Sequence, residues 1–342
     1  MTRLDHEVGV ITSEKISCVE NSNFTVFRLS KPFISKVLNL NFLEIPQITK
    51  SWHPDIFHIN YQTGGENLLI LWLTFMKIPF VITYHADHVV TLGRMIDELQ
   101  LASTFKCAKM IMVQSERDWQ KFHKRGIVED KLRLIRFNGI DTTKYKCSFK
   151  DDFNKEKINL LCIARLDDFH KYKGVRELIE GFKTLKKKKL SFGLSLHIVG
   201  DGNLREFYEK YCKKYQLDNI KFLGELSFDD LLRQICNANF LILPSVDNGE
   251  GFGRVVLEAL SCGTPVIVSK YAGISELIIK YNAGIIYEPE QFENLIVKLE
   301  LLLKNSEQVQ YFVDNGKRMI LEEELSLQST TQKVIDIYDE CL

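Results

Sequence analysis

Several features that would assign this chain to a special class of protein are missing from its sequence. The 342 residues contain 45 Lys and Arg against 45 Asp and Glu, so no net charge attracts the chain to nucleic acid or to an anionic membrane. The longest apolar run, at residues 68–75, is too short to cross a bilayer. Residues 1–10 carry Asp5 and Glu7 where a secretory leader would be basic and then apolar, which predicts that they are no leader. Any phosphate site must therefore be local.

The eight cysteines lack the spacing of a metal site or a redox motif. They form no C-x-x-C pair, and no His stands at zinc-finger spacing from them. We therefore predict that all eight are reduced thiols in a cytoplasmic protein. A peripheral position at the inner face of a membrane stays open.

Short apolar runs alternate with amphipathic helical stretches along nearly the whole sequence. This alternation is typical of parallel sheets covered by helices, and it predicts the α/β class. Most of the runs are apolar on both faces, as buried parallel strands are. We predict strands at residues 7–12, 24–28, 56–60, 80–83, 110–114, 132–136, 159–163, 195–199, 220–223, 240–243 and 266–269.

The length and one polar segment predict two domains. A domain usually has about 100–200 residues, and residues 141–157 are charge-rich with no helical or strand period. We expect a first domain at 1–148 and a second at 149–324. Residues 325–342 have the apolar spacing of a helix, which we expect to cross back to the first domain.

The most informative segment is at residues 244–260, PSVDNGEGFGRVVLEAL, which follows a buried strand and begins a helix. Ligands of such sheets bind beyond the carboxyl ends of strands, where glycines let backbone N–H groups approach an anion at the helix N-terminus. That position suits a sugar diphosphate. Glu250 and Glu258 can face one crevice and accept hydrogen bonds from hydroxyl groups of the sugar and the ribose. If the two glutamates are considered alone, the alternative to a ligand site is a loop with two solvated acidic side chains.

A second segment, residues 164–174 with the sequence ARLDDFHKYKG, brings three cations to the end of another predicted strand. Arg grips phosphate oxygens with a planar fork and Lys adds a compact charge, so Arg165 and Lys173 suit a leaving pyrophosphate. By composition alone, Lys171 and Lys173 would be solvated loop charges. Their place at a strand end favours the phosphate site.

Two histidines in the first half are weaker candidates. His85 ends an apolar strand and has Asp87 and His88 close by in the sequence, although a lone His in such a place is often structural. His58 lies within a predicted buried strand, where its imidazole can simply satisfy a neighbour.

Taken in order, these segments resemble glycosyltransferase family 4 (GT4), a family of retaining glycosyltransferases. In the second half the resemblance rests on residues 160–182, 200–202, 222–224, 250–258 and 263–267, and in the first on 54–58, 83–85, 113–115 and 138–141. It implies a GT-B fold, in which two Rossmann-like domains face each other across a cleft. The second domain would hold the donor nucleotide and the first the acceptor.

The resemblance also implies roles for single residues. Arg165 and Lys173, with Lys171 beside them, would bind the pyrophosphate, and Glu258 would bind the ribose. Glu250, with the backbone of Gly251, Phe252 and Gly253, would bind the transferred sugar, and His85 would contact that sugar from the opposite wall. His85 and Glu250 are then the catalytic candidates. The sequence has no D-x-D motif, so we expect no metal.

We therefore predict a retaining hexosyltransferase that uses a nucleotide diphosphate sugar. The acceptor would be a glycan, a lipid-linked molecule or a small molecule, in cell-surface polysaccharide or glycoconjugate synthesis. No nucleic-acid partner is expected. The alternatives are a silent binding subunit that needs a partner chain, and a nucleotide-sugar epimerase or a glycogen-phosphorylase-like enzyme on the same fold. A dinucleotide enzyme is disfavoured because Gly251-Phe252-Gly253 lacks the third glycine of its motif, and no P-loop is present.

One expectation concerns the first domain alone. Chains of this family usually have a strand, a glycine-rich loop and a helix before a segment like residues 6–13, which here stands almost at Met1. We therefore expect an N-terminally incomplete first domain and weak transfer activity. A partner chain that completes the sheet is one way to restore it.

Overall fold

The computed structural model describes residues 9–12, 25–28, 45–61, 67–85, 105–136, 139–145, 147, 157–186, 188, 190–303 and 305–342. The chain divides into two compact units. The first comprises Met1–Ile135 with Thr331–Leu342, and the second comprises Arg136–Thr330. Residue 148, at which the sequence predicts a domain boundary, lies outside the described residues.

The first unit is built on parallel strands. β1 (Gly9–Thr12) pairs with β2 (Thr25–Arg28), and a four-stranded sheet has the order β3–β4–β5–β6. Its strands are β3 (Phe57–Tyr61), β4 (Phe80–Tyr84), β5 (Met110–Val113) and β6 (Leu132–Leu134). The described helices are α1 (Ile45–Trp52), α2 (Asn67–Phe75), α3 (Glu116–Lys124) and, from Thr331 onward, the last helix of the chain, α11 (Leu327–Cys341). Every residue of β4 is buried, as its largely apolar sequence predicts.

The second unit has a six-stranded parallel sheet of order β12–β11–β10–β7–β8–β9. The strands are β7 (Lys157–Ile163), β8 (Gly193–Val199), β9 (Ile220–Gly224), β10 (Phe240–Leu243), β11 (Val266–Ser269) and β12 (Ile285–Tyr287). The helices are α4 (Val175–Leu185), α5 (Arg205–Lys214), α6 (Phe228–Asn237), α7 (Arg254–Ser261), α8 (Ser275–Tyr281), α9 (Phe292–Leu303) and α10 (Ser306–Glu322). They cover both faces of the sheet, because one apolar cluster packs α4, α5 and α9 and another packs α7 and α8.

The predicted α/β class is confirmed, and all eleven predicted strands coincide with observed ones to within two residues at each end. One strand, β12, was not predicted. Its apolar run of three residues is shorter than the 4–8 residues by which strands are usually found. Within the described ranges, no helix is both long and apolar enough to cross a membrane.

The order of the strands positions the site of the second unit. From β7 the chain adds β8 and β9 on one side, and then returns to add β10, β11 and β12 on the other. The loops that follow β7 and β10 therefore diverge where the strand order reverses. In open parallel sheets this switch point is where ligands bind.

The expectation that all cysteines are free thiols is wrong for two of them. Cys147 and Cys236 form a disulfide across 89 residues of sequence. Spacing could not reveal it, because the pairing depends on where the segment before β7 packs. Five other cysteines are free, and Cys18 lies outside the described residues.

Candidate functional site

Two loops of the second unit are in backbone contact at the switch point. After β7, a 3₁₀ turn (Asp168–Lys173) ends at Gly174, which has a left-handed φ of 68°. A Cβ added to Gly174 would lie 2.0 Å from the carbonyl oxygen of Pro244, directly after β10. The Val246 N–H also donates to the Tyr172 carbonyl at 2.9 Å. The two sequence motifs therefore form one surface, and glycine is required at 174 for both conformation and space.

A third loop, between β11 and α8, fixes the glycine turn from the other side. The N–H groups of Gly273 and Ile274 donate to the carbonyls of Glu250 and Phe252 at 3.2 and 2.9 Å. A Cβ on Gly273 would lie 2.0 Å from the Gly251 oxygen, which leaves room for no other residue type without a shift of the turn.

The glycine turn leads directly into α7. Gly253 is the N-cap residue of that helix, with a left-handed φ of 99°. The first N–H groups of a helix have no partner within it and carry the positive end of its dipole. Phe252 is 2% exposed and belongs to the apolar cluster that packs α7 and α8, so its ring anchors the turn to the core. Ser245 lies in the same loop, and its buried hydroxyl has no hydrogen-bond partner among the described residues.

Lys173 and Glu250 form an ion pair between the two loops. Lys173 Nζ lies 2.6 Å from Glu250 Oε2, and the two side chains are 18% and 11% exposed. Such a pair is screened little by solvent. Burial, followed by the nearby Glu250 carboxylate, raises the pKa of Tyr172, which keeps its hydroxyl protonated and able to donate. The structure thus joins the sequence-predicted Lys173 and Glu250.

Glu258 lies in α7 and is buried, 7% exposed. Burial raises the pKa of its carboxyl group, whereas Arg254 and a hydrogen bond from the Tyr145 hydroxyl lower it. The Arg254 Nε atom is 3.3 Å from the carboxylate. These two polar partners offset part of the free-energy cost of burying the Glu258 carboxylate as an anion. Glu258 can accept hydrogen bonds from hydroxyl groups that enter beside Tyr145.

The remaining predicted cations are more exposed. Arg165 lies between Ala164 and Leu166, whose N–H groups donate to the carbonyls of Val199 and Asp201, so its backbone is fixed although its side chain is free to extend. Lys171 pairs with Asp168 at 2.6 Å, and these side chains are 63% and 52% exposed. Of the three cations, the structure brings only Lys173 into contact with Glu250.

In the first unit, three polar side chains line up where β3, β4 and β5 end. His85 Nε2 is 3.0 Å from Asn60 Oδ1, and the Gln114 side-chain nitrogen is 3.0 Å from His85 Nδ1. The amide orientations assign a proton to Nε2 and none to Nδ1. Burial lowers the pKa of His85, which favours this neutral form.

His58 is held within the first unit. Its Nδ1 atom lies 2.5 Å from the Tyr338 hydroxyl of α11, and Nε2 lies 2.5 Å from Thr83 Oγ1. Burial, with His85 nearby, lowers the pKa of His58 to about 4. His58 therefore connects α11 to the sheet as a neutral imidazole, and Tyr338 and Thr83 are the neighbours that its ring nitrogens satisfy.

Three residues of the site gave no usable signal in the sequence. Tyr145 forms a hydrogen bond with Glu258, which lies 113 residues later in the sequence. Tyr172 packs against Gly249 in the loop after β10, and Gly273 packs against the backbone of Gly251. Gly174 ends the cationic motif, and its left-handed cap could have been found from the position of a glycine directly before a helix.

One group of side chains in the described part of the chain could hold a metal ion. The sulphur atoms of Cys147, Cys236 and Cys262 lie within 4.8 Å of one another. Two of them are already joined in the disulfide.

Comparison with known proteins finds two glycosyltransferase family models that together match residues 1–319. The family model described as "Glycosyl transferases group 1" matches residues 144–319, and that of Glycosyltransferase Family 4 matches residues 1–144. The uncharacterized glycosyltransferase MJ1178 of Methanocaldococcus jannaschii is 26% identical over 345 residues, which cover 98% of this chain and 90% of that protein.

Comparison with solved structures finds chains of similar fold. Sucrose-phosphate synthase from Thermosynechococcus elongatus superposes with a TM-score of 0.80 at 18% identity, over 99% of this chain and 90% of that one. HepE of Anabaena, solved in complex with UDP, gives 0.73 at 18% identity, over 93% and 86%. At this identity the likeness is one of fold. With the two parallel α/β units, it confirms the predicted GT-B class.

Proposed function

Because the chain belongs to the glycosyl transferases group 1 family, and is therefore a glycosyltransferase, we propose that it is a retaining hexosyltransferase that uses a nucleotide diphosphate sugar. The observation that carries this proposal is the partly buried Lys173–Glu250 pair beside the Gly251–Gly253 turn at the switch point. A cation, a carboxylate and a helix N-terminus there offer partners for a phosphate and for sugar hydroxyls within one small surface.

The proposed reaction needs stabilisation of the leaving group above all. When the nucleoside diphosphate departs, negative charge grows on its terminal phosphate, and Lys173, Arg165 and the N-terminus of α7 would stabilise that charge. Lys173 is already oriented by Glu250, so little reorganisation is needed when a phosphate oxygen shares its ammonium group.

We assign the two glutamates to different parts of the donor. Glu250 would accept hydrogen bonds from hydroxyls of the transferred sugar, because it adjoins the glycine turn. Glu258 would accept from the ribose hydroxyls, because it lies in α7 beside Tyr145. The UDP bound to HepE supports a nucleotide donor of this type.

His85 would act by hydrogen bonding, since its lowered pKa keeps the imidazole neutral and its Nε2–H donates to an oxygen. A sugar hydroxyl could replace Asn60 as the acceptor. Retention is supported by the resemblance alone, and we propose that the acceptor attacks the face from which the diphosphate leaves. A cytoplasmic location and a glycan, lipid-linked or small-molecule acceptor complete the proposal.

Calorimetry with UDP-, GDP- and ADP-sugars and the free diphosphates tests donor binding. We expect one of these series to bind at micromolar to millimolar concentration. If none binds at millimolar concentration, the donor assignment is wrong. A mass-spectrometric screen of that donor with cell-envelope glycans would identify the acceptor, and proton NMR of the product would show whether the anomeric configuration is retained.

A further inference from the structure

Three cysteine sulphurs meet in the second unit, on segments far apart in the sequence. Cys147 follows the described segment 139–145, Cys236 lies near the end of α6, and Cys262 directly follows α7. Their sulphurs lie within 4.8 Å of one another, and Cys147 and Cys236 are joined. No part of the proposed transfer reaction uses them.

Accessibility distinguishes the pair from the third thiol. Cys147 and Cys236 are half-buried, whereas Cys262 is 2% exposed. Burial, with the Glu258 carboxylate nearby, raises the pKa of Cys262 to about 12. Cys262 therefore stays a thiol, since only a thiolate attacks a disulfide or binds a metal.

The disulfide secures the segment that carries Tyr145. The Tyr145 ring packs edge-on against Phe228 at 5.4 Å between centroids, and Phe228 begins the same helix, α6, that carries Cys236. The Tyr145 hydroxyl donates to Glu258, the residue that we assign to the ribose. A bond two residues beyond Tyr145 thus limits how far this tyrosine can move from Glu258.

We propose that Cys147 and Cys236 form a reversible disulfide that holds Tyr145 against Glu258, so that oxidation strengthens donor binding and reduction weakens it. The effect on the donor rests on the proposed function, whereas the bond itself does not.

A low-molecular-weight disulfide such as glutathione disulfide is the oxidant. The thiolate of one cysteine attacks it, forms a mixed disulfide and expels one small thiolate. The second cysteine then attacks the mixed disulfide, which forms the Cys147–Cys236 bond and expels the other. Two protein thiols are oxidised, one small disulfide is reduced to two thiols, and these take up the two protons.

The bond is tested by alkylation of the denatured full chain after equilibration with glutathione disulfide or with a reductant. We expect Cys147 and Cys236 to escape alkylation in the oxidised protein, where they should appear in one disulfide-linked peptide, and both to be alkylated in the reduced protein. Because the bond closes a loop of 89 residues, the melting temperature should rise by roughly 5–15 °C on oxidation. Cys147→Ser should abolish this rise, and Cys107→Ser, which replaces an exposed cysteine of the first unit outside the disulfide, should keep it.

The effect on the donor is tested in the same two redox states. We expect the Kd of the free nucleoside diphosphate to be about three- to tenfold lower in the oxidised protein, as the loss of one well-placed hydrogen bond allows. Tyr145→Phe keeps the ring on Phe228 but removes the hydroxyl, so the two Kd values should become equal while the melting-temperature rise persists.

Three results would overturn the proposal. The first is alkylation of both Cys147 and Cys236 after oxidation. The second is one zinc ion bound per reduced chain and lost in both Cys147→Ser and Cys262→Ser, which would make the cluster a metal site. The third is equal Kd values in the two states of the wild-type protein. If no nucleotide binds, the proposed function is refuted, and with it the coupling between the disulfide and donor binding. Mass spectrometry would still show whether the disulfide forms.

Discussion

At the scale of single residues, the two glutamates of the crevice have unlike surroundings. Glu250 meets a lysine at 2.6 Å between loops, whereas Glu258 is buried in a helix with a raised pKa and a tyrosine partner. Removal of each carboxylate leaves a different side chain without that partner. Without Glu250 the partly buried Lys173 loses its counterion, and without Glu258 the Tyr145 hydroxyl loses its acceptor.

Glu258→Gln should therefore weaken nucleoside diphosphate binding by about 10- to 100-fold, because a charged acceptor of two hydroxyls is lost. Glu250→Gln should change that Kd by less than about threefold and lower kcat by about 100-fold or more, since we assign Glu250 to the transferred sugar and not to the nucleoside diphosphate. Calorimetry and steady-state kinetics separate the two effects. The exposed Glu307→Gln is the control, and equal losses of binding and turnover in both crevice variants would refute the division of roles.

At the scale of elements, the position of the Gly251–Gly253 turn depends on the loops that pack against it. Gly273 and Gly174 have no room for a methyl group against Gly251 and Pro244. The crevice is therefore a packing property of three loops as much as a set of charged groups.

Gly273→Ala should displace the Gly251 turn and raise the donor Kd about tenfold or more, because the added carbon would lie 2.0 Å from a backbone oxygen. Gly284→Ala is a matched control, since its methyl group would meet the Val266 oxygen at 2.7 Å before β12, at the opposite ends of the strands. Both variants should melt at lower temperature, but only Gly273→Ala should lose affinity. Normal donor binding in Gly273→Ala would contradict the role of this loop.

The junction of α11 with β3 predicts a pH dependence. The pKa of His58 is lowered from 6.5 to about 4 in the folded protein, so the native state favours its neutral form. The resulting stability is complete above the unfolded pKa of about 6.5, and it is lost as pH falls towards 4. The loss should reach at most about 3 kcal/mol. All three tryptophans, Trp52, Trp72 and Trp119, belong to the first unit, so their fluorescence in urea titrations measures it.

His58→Gln should have a smaller free energy of unfolding than the wild type at pH 7.5. Between pH 6.5 and 4 the wild type should lose most of this advantage, so the two free energies should converge. Tyr338→Phe removes one partner of the imidazole and should fall between this variant and the wild type. A wild-type stability that stays constant over that range would show that His58 is not the group that titrates.

The elements differ in how far the sequence could predict them. β4 and β10 were predictable because a short, largely apolar run has few alternatives to a buried strand in an α/β chain. The two crevice motifs were found for the same reason, since each directly follows such a strand. Tyr145 beside Glu258 and the Cys147–Cys236 bond were not predictable, because both depend on where a polar segment packs after the sheet has formed.

At the scale of the whole molecule, the charge balance requires the proposed phosphate site to be a local one. With 45 cationic and 45 anionic residues, no global field draws a dianionic donor to the protein. Attraction must come from the few groups around β7 and β10. Raised salt should therefore weaken donor binding only modestly, since Lys173 is largely shielded from solvent.

The same local cations lead to a prediction about metals. A divalent ion on a diphosphate neutralises charge that grows as the leaving group departs, and a positioned Lys and Arg can supply that stabilisation instead. We expect transfer by the full chain to keep at least about half its rate in excess EDTA, measured by release of the nucleoside diphosphate. Lys173→Ala should lose most of this activity, and added Mg²⁺ should restore part of it, because the ion would then supply the missing charge. Loss of wild-type activity on chelation, with recovery in Mg²⁺ or Mn²⁺, would mean that Arg165 and Lys173 do not suffice, and that the carboxylates near the turn bind a metal during turnover.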